Sequence, residues 1–479
     1  MIEKSKVLVT TLLLFLLLGS EISRGQDQPD TSAVFLLEDL REIVFKNHPI
    51  IKQAALFSQA GQANVLQSLG YFDPSIKASF GRKIFGNTTY YNRWMSELKV
   101  PLWLAGADLK IGYDRGVGDY INPEYQTANA GLTGIGLSIP LGQGFLIDSR
   151  RNTLRQAKVM LNYAEAERLS QVNATWYQIV KDYWNWYFSY HQFELIGEGL
   201  QLAQKRYKAI SFQTVLGDKA SIDSVEAAII VQDRMIQFEK MKIELLNARL
   251  TLSNHLWTEE GRPLELPDFA IPPVAAQVKD DAQAQILDSL LATLEISHPD
   301  LLKLRTKGDQ LSIERRYRAD LLKPKINLNG SLLSNRRNFN EYIPDYYDFR
   351  GSNYKVGLEF ALPLFLRTER GKLREVKVKQ MELAFDLQQR NREIRNALLS
   401  SYNNLQAYQA QLKVQVQSID NQQILLNGES TKFELGESTL FLINARESKL
   451  IDMKIKRQEM IAGFQKTLAE LYYKGGGKI

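Results

Sequence analysis

The sequence contains no cysteine, only four histidines, and no long apolar run beyond its N-terminal leader. Without cysteine there are no disulfides, no thiolate metal site and no lipid-modified N-terminal cysteine. No stretch of 18 apolar residues follows the leader, so no transmembrane helix is available. The histidines, His48, His191, His255 and His298, form neither an HExxH pair nor a close cluster. Two of them precede proline in His48-Pro49 and His298-Pro299, which favours a structural role over metal binding. A nucleophile elbow GxSxG and a phosphate loop GxxxxGK[ST] are both missing. The glycines of GLTGIGLSIPLGQG (Gly131 to Gly144) fall inside an alternating strand, so they do not read as a dinucleotide loop. No catalytic, cofactor-binding or metal residue is assigned, and the chain does not read as an enzyme. Charge of one sign is also lacking. The 60 basic and 54 acidic residues are interleaved, giving a formal charge of +6. That pattern is a set of solvated faces and points away from nucleic acid.

What is present begins with Lys4 and Lys6 ahead of an apolar run from Val7 to Leu18, followed by Gly19 and Ser20. A basic n-region and an h-region this short make a secretory signal peptide, with cleavage expected near Gly25–Gln26. The rest of the chain is written twice. The segment from Asn47 to Gly81 aligns with Ser297 to Ser331 at an offset of 250, with Pro74 on Pro324 and Ile76 on Ile326. Further on, NTLRQAKV (Asn152 to Val159) aligns with GKLREVKV (Gly371 to Val378) at an offset of 219. The triplets Leu216-Gly217-Asp218 and Leu435-Gly436-Glu437 share that second offset, so the first half is 31 residues longer between Pro74 and Asn152. The expected layout is a signal peptide at 1–25 and a first repeat at 26–255, with strands at about 74–142 and a tip near 217. A proline-rich inter-repeat segment follows at 256–290. The second repeat spans 291–474, with strands at about 324–365 and a tip near 436, and 475–479 form a C-terminal tail.

Each half reads helix, strands, long helix, turn, helix. No proline occurs from Ser149 to Phe212, a helix of roughly 95 Å at 1.5 Å per residue. Its counterpart runs from about Arg367 to Asn427. The shorter helices, about Leu36 to Gly70 and Ala220 to His255, are roughly 50 Å each. Two short helices end to end match one long helix, which suggests a cylinder of packed helices. Ile222, Ile229, Ile236, Ile243, Leu250 and Trp257 recur every seven residues, as do Ile443, Leu450, Phe464 and Leu471 with Arg457 interrupting. Seven-residue spacing favours supercoiled helix pairs. The aromatic cluster from Trp176 to Tyr190 sits mid-helix and is expected to pack against the crossover prolines Pro263, Pro267, Pro272 and Pro273.

Between the helices the period changes to two. Ile326, Leu328 and Leu332 alternate with Lys325, Asn327, Asn329 and Ser331, and Tyr354, Val356, Leu358 and Phe360 alternate with Lys355, Gly357 and Glu359. In the first half, Ile76, Ala78 and Phe80, and Ile135, Leu137 and Ile139, do the same. Such alternation fits a barrel strand between lipid and a wet lumen, and equally a half-buried strand of a soluble sheet. Two or four strands per half, attached to helices of that length, leave little sheet for a soluble core. The 31 extra residues hold two more alternating runs, Leu98 to Leu104 and Leu109 to Tyr113, read as one additional hairpin whose place in a barrel is open. Four or six strands cannot close a barrel, so membrane-spanning strands require an oligomer.

This exported, duplicated layout resembles the TolC-like outer membrane efflux proteins. The paired His-Pro breaks, the proline-led strands at Pro74 and Pro324 and the two Leu-Gly-acid passages carry the resemblance, twice and in order. It implies a mainly α fold with a membrane β-barrel portion: a trimer whose strands form one shared barrel and whose coiled-coil helices form a periplasmic tunnel. It implies the exit duct of a tripartite efflux pump or type I secretion system, in the outer membrane of a Gram-negative bacterium. The implied partners are a homotrimer, outer membrane lipid, a periplasmic adaptor (membrane fusion) protein and an inner-membrane transporter such as an RND or ABC pump, with no cofactor. Leu216, Gly217, Asp218, Leu435, Gly436 and Glu437 then fall at the tips where the adaptor docks. Family members narrow the tunnel with acids six and nine residues after the second-half glycine. Here those positions are Leu442 and Ala445, and the acids sit at the first-half equivalents, Asp223 and Glu226, with Arg446 and Glu447 nearby as further candidates for the constriction. The alternative is a periplasmic or surface coiled-coil scaffold or adhesin with a soluble β-sheet.

Overall fold

The computed structural model describes residues 33–217, 219–274, 283–335 and 352–477. The expected signal peptide, Asp218, residues 275–282 of the proline-rich segment and the end of the C-terminal tail lie outside them.

Two helices set the length of the molecule. Helix α3 (Ser149–Leu216) and helix α7 (Arg367–Glu434) each run 68 residues, about 100 Å at 1.5 Å per residue. Shorter helices come in consecutive pairs because proline interrupts them. α1 (Leu37–Asn47) meets α2 (Pro49–Leu69) at His48, and α5 (Gln283–Ser297) meets α6 (Pro299–Asp320) at His298. A residue before proline is pushed out of the helical region, and both histidines are extended. Each ring then caps the next helix: His48 Nδ1 accepts from the Ile50 amide at 3.2 Å, and His298 Nδ1 from the Asp300 amide at 3.2 Å. The duplicated His-Pro is one device used twice.

Helices α4 (Ser221–Ser253) and α8 (Leu440–Lys474) return from the far ends of α3 and α7. α2 and α6 lie along α3, α4 and α8 continue along it, and α6 and α8 flank α7. The main core lies near the middle of the bundle. Tyr183, Trp186 and Tyr187 of α3 are fully enclosed there with Leu40 of α1 and Phe464 and Leu471 of α8. The two tyrosine hydroxyls are bonded, Tyr183 Oη to the Phe35 carbonyl at 2.9 Å and Tyr187 Oη to Gln458 Oε1 at 3.1 Å. The crossover supplies Leu256, Leu266 and Ala270 to this core; its Pro272 is buried, and His191 Nε2 of α3 lies 3.3 Å from the Pro273 carbonyl. Strands β1 (Ala33–Val34) and β6 (Ala270–Ile271) pair in parallel beside it.

The second sheet has six antiparallel strands in the order β2 (Ser75–Phe85), β3 (Thr88–Pro101), β4 (Asp108–Val117), β5 (Leu132–Pro140), β7 (Lys325–Asn335) and β8 (Tyr354–Ala361). The β2–β3 turn has positive φ at both Gly86 and Asn87, 57° and 59°, the two-residue connection whose twist suits a hairpin. The extra hairpin of the first half is thus a full member of the sheet: β4 ladders with β3 from Asp108 to Val117 and with β5 from Asp108 to Asp114. Strands β2 and β8 end the sheet, one at each edge.

Candidate functional site

The register assigns every side chain of the six-stranded sheet to a face. Ile76, Leu98, Ile111, Ile135, Leu332 and Tyr354 lie in line across the strands, as do Leu109, Leu137, Gly330 and Val356. With Phe80, Val100, Ile139, Leu328, Leu358 and Phe360 they form one continuous apolar band. The opposite face carries Lys77, Glu97, Gly112 and Gly134, then Ser138 and Asn329, then Lys355 opposite Ser331. Strands of 8 to 14 residues match the reach of tilted transmembrane strands. Trp94 and Tyr354 end the band at its far side, and Trp103, Leu104 and Phe365 are exposed where strands give way to helices. Aromatic rings at both borders of an apolar band are the girdle pattern of membrane barrels.

A buried polar knot joins this sheet to α3. Asp148 caps the helix, its Oδ1 accepting from the Arg151 amide at 2.9 Å and from Arg151 Nε at 3.0 Å. Arg150 reaches the start of β4 at Asp108 Oδ1, 2.6 Å, and the Gly106 carbonyl at 2.9 Å. Arg151 Nη2 donates to the Gly144 and Phe145 carbonyls at 2.6 and 3.0 Å. Burial opposes the charge on Asp148, yet the Arg151 hydrogen bonds and the two guanidiniums outweigh it and hold the carboxyl below its usual range. Strand and helix directions are thereby locked together.

At the other end of the long helices the two turns lie side by side. Gly217 has φ +87° and Gly436 φ +80°, and a Cβ on either would meet nothing within 4 Å. The glycines serve the backbone: α7 closes with the Glu437 amide donating to the Lys432 carbonyl at 2.8 Å and the Gly436 amide to Phe433 at 3.1 Å, the two bonds of a Schellman motif. Thr439 Oγ1 caps α8 through the Leu442 amide at 3.4 Å. Ser438 instead bonds Glu429, and Ser221 is the first residue of α4, behind Ala220 as cap. Ile210, Ala227 and Leu440 form a small shared core between the turns, and the Lys219 ammonium lies 4.7 Å above the Phe433 ring. Phe212, Val215, Leu216, Leu435 and Phe441 project outward, Val215 being 85% exposed.

Residues 290–444 match the family described as outer membrane efflux protein. The match lies in the second half of the chain. No curated protein matches the chain in sequence. Among solved structures, the CmeC outer membrane channel of Campylobacter jejuni superposes with TM-score 0.64 at 13% identity, over 92% of this chain and 85% of that one. The outer membrane protein VceC of Vibrio cholerae gives TM-score 0.64 at 14% identity, over 92% and 96%. The MtrE outer membrane channel of Neisseria gonorrhoeae, in its open state, gives 0.64 at 14%, over 92% and 88%. At such identities the likeness is one of fold.

The residues singled out by sequence fall into distinct settings. Asp223 and Glu226 stand half-buried on the first turns of α4, with no ion pair among the described residues. Glu447 is buried, and its Oε2 lies 2.5 Å from Arg206 Nη2 of the same chain; Arg206 Nη1 also donates to Asn444 Oδ1 at 2.7 Å. Arg446 is partly exposed and 4.0 Å from Glu429. Sequence reading missed Arg206, whose partner lies 241 residues away. It also left open which way the heptads face. Ile443, Leu450, Phe464 and Leu471 are buried within the chain, whereas Ile222, Ile229, Ile236, Ile243 and Leu250 are between 51% and 70% exposed. Among the described residues no helix is long and apolar enough to cross a membrane, and no acidic or histidine cluster is arranged to hold a metal.

Proposed function

We propose that the protein is the outer-membrane exit duct of a tripartite efflux pump or type I secretion system, conducting cargo passively from an inner-membrane transporter and a periplasmic adaptor to the exterior. The observation that carries this reading is the six-stranded sheet, apolar on one face, polar on the other and open at both edges. A lone open sheet of this kind leaves lipid-facing strands with unpaired edge groups, which a bilayer does not tolerate. Closure by three copies pairs every edge and gives an 18-stranded barrel, six strands from each chain. The exposed heptad stripe of α4 supports the same assembly along the helices, because it offers a neighbouring protomer a seam of the kind that packs coiled coils. The helices then form a periplasmic tunnel and the sheet an outer-membrane barrel.

The exposed apolar side chains around Leu216, Gly217, Leu435, Gly436 and Glu437 suit these tips to an adaptor's own helical hairpin. Asp223 and Glu226, one turn inside the tip and without ion pairs among the described residues, are the acids that line the tunnel constriction, with Arg446 a further candidate. Adaptor docking relaxes the tips outward and opens the aqueous path. No step requires chemical catalysis.

Fractionation tests the whole reading. Detergent-dependent extraction with the outer membrane, as a trimer, is the expected result. A soluble monomer in the periplasmic extract sinks it and favours a coiled-coil scaffold or adhesin. Neutralising the acids with Asp223→Asn and Glu226→Gln is expected to change single-channel conductance or cation preference in bilayers, and an unaltered channel retires the gate assignment.

A further inference from the structure

The connection between β4 and β5, residues 118–131, does not simply turn at the far end of the sheet. The Asp119 and Tyr120 amides donate to the Thr89 and Tyr90 carbonyls of β3 at 3.1 and 3.0 Å, so the chain first continues alongside β3. It then passes across the polar face. Gly116 and Arg93 are register partners on that face. A Cβ built on Gly116 would stand 1.9 Å from the Tyr125 carbonyl oxygen and 2.8 Å from Ile121 Cδ1. The loop therefore occupies the space into which a polar-face side chain of residue 116 would project. The Arg93 guanidinium lies 3.7 Å from the centre of the Tyr125 ring, a contact that strengthens as water is excluded.

This inner limb is a built element. Asn122 Oδ1 accepts from the Glu124 amide at 3.1 Å, and the Asn122 carbonyl from the Tyr125 amide at 2.8 Å, closing a tight turn over Pro123–Tyr125. Thr127 ties its end to β4: its amide donates to the Gly116 carbonyl at 2.9 Å and its Oγ1 accepts from the Gly116 amide at 3.0 Å. Only the returning limb lies on the apolar side, where Tyr113 Oη and Arg115 Nε donate to the Ala130 and Asn129 carbonyls at 3.1 and 2.8 Å.

We infer that the inner limb, residues 119–125, is a fixed constriction at the outer mouth of the duct. The inference rests on the exit-duct reading, which makes the polar face the lumen and the far end of β4 the exterior end. A barrel of about 18 strands otherwise leaves an open aqueous channel of porin width. Three inner limbs, one per protomer, narrow that mouth and set the size of solute that enters from outside, independently of the state of the helical tips.

The absence of cysteine makes the test direct. Lys110 lies on the polar face of β4, nearer the helices than the loop. In intact cells, Lys110→Cys is expected to react with a small charged thiosulfonate but not with a long-chain maleimide–polyethylene glycol. Replacing residues 119–126 with a two-residue Asn-Gly turn is expected to move labelling by the long reagent from near zero to completion. Gly116→Val, which displaces the loop without shortening it, is expected to do the same in a trimer that runs as wild type on a native gel. Labelling by the long reagent with the loop intact overturns the constriction, as does its continued exclusion after both changes. No labelling by the small reagent means the polar face is not a lumen, which sinks the exit-duct reading itself.

Discussion

Asp148 does two things at one place: it caps the start of α3 and neutralises Arg151, a guanidinium that is itself buried. Asp148→Ala removes an N-cap and leaves a buried charge without its partner, a combined cost of about 2–4 kcal/mol. The thermal midpoint of the detergent-solubilised protein is expected to fall, and Asp148→Asn, which keeps a capping oxygen without the charge, is expected to fall less. Equal midpoints for all three proteins would show that the junction is not held by this carboxylate. His48 makes a different prediction. Burial first, and then the neighbouring His255, push it down to about 4 from the ordinary 6.5. His255 in turn faces Asp182, with Nε2 2.9 Å from its Oδ2. Because the unfolded chain binds the proton more readily than the folded one, the stabilisation is complete above the unfolded value and is lost as pH falls through about 4. Melting curves between those limits are expected to be flatter for His48→Asn, which caps α2 without titrating. Parallel curves would assign the acid sensitivity to other groups.

The helical hairpins are the elements whose form depends most on single residues. Both tip glycines adopt a conformation that costs other residues roughly 1–2 kcal/mol, yet neither is sterically crowded. Gly217→Val and Gly436→Val are therefore expected to strain the turns modestly, leave the trimer assembled, and abolish adaptor association in a pull-down. Adaptor binding and export that survive in a folded trimer dismiss the docking assignment. Much at this scale was legible in the sequence. The proline-free run of α3, the paired helix breaks and the alternation of the strands all come from local backbone chemistry. Where the reading stopped short, the cause was local too. α7 continues through Asn427 and Gly428 to Glu434, because a helix packed along its length tolerates a weak former in its last turns. β4 continues past Tyr113 to Val117, where Gly116 has no side chain to show alternation. Contacts set by tertiary placement were beyond local reading: Arg206 with Glu447, and the fold-back of residues 119–125 over Gly116.

For the molecule as a whole, two heptad stripes that look alike in sequence have opposite fates. The α8 stripe is consumed inside the chain, whereas the α4 stripe is left facing outward along most of a helix of 33 residues. Burying an exposed isoleucine or leucine contributes about 1.5–3 kcal/mol, so five such positions represent a driving force that a monomer forgoes. On the exit-duct reading they meet the adjacent protomer, and the same surface must remain dry enough along the tunnel wall to keep the helices in register. Placing carboxylates there, as in Ile229→Asp with Ile236→Asp, buries two charges per seam without partners. The expected outcome is a folded chain that sediments as a monomer in detergent, with a far-ultraviolet spectrum close to wild type. Leu450→Asp is the contrasting case, since Leu450 is enclosed within its own chain; helical signal is expected to be lost along with assembly. If the α4 variant sediments as a trimer of normal stability, the stripe does not form the protomer seam, and closure has to be carried by the strand edges of β2 and β8 alone.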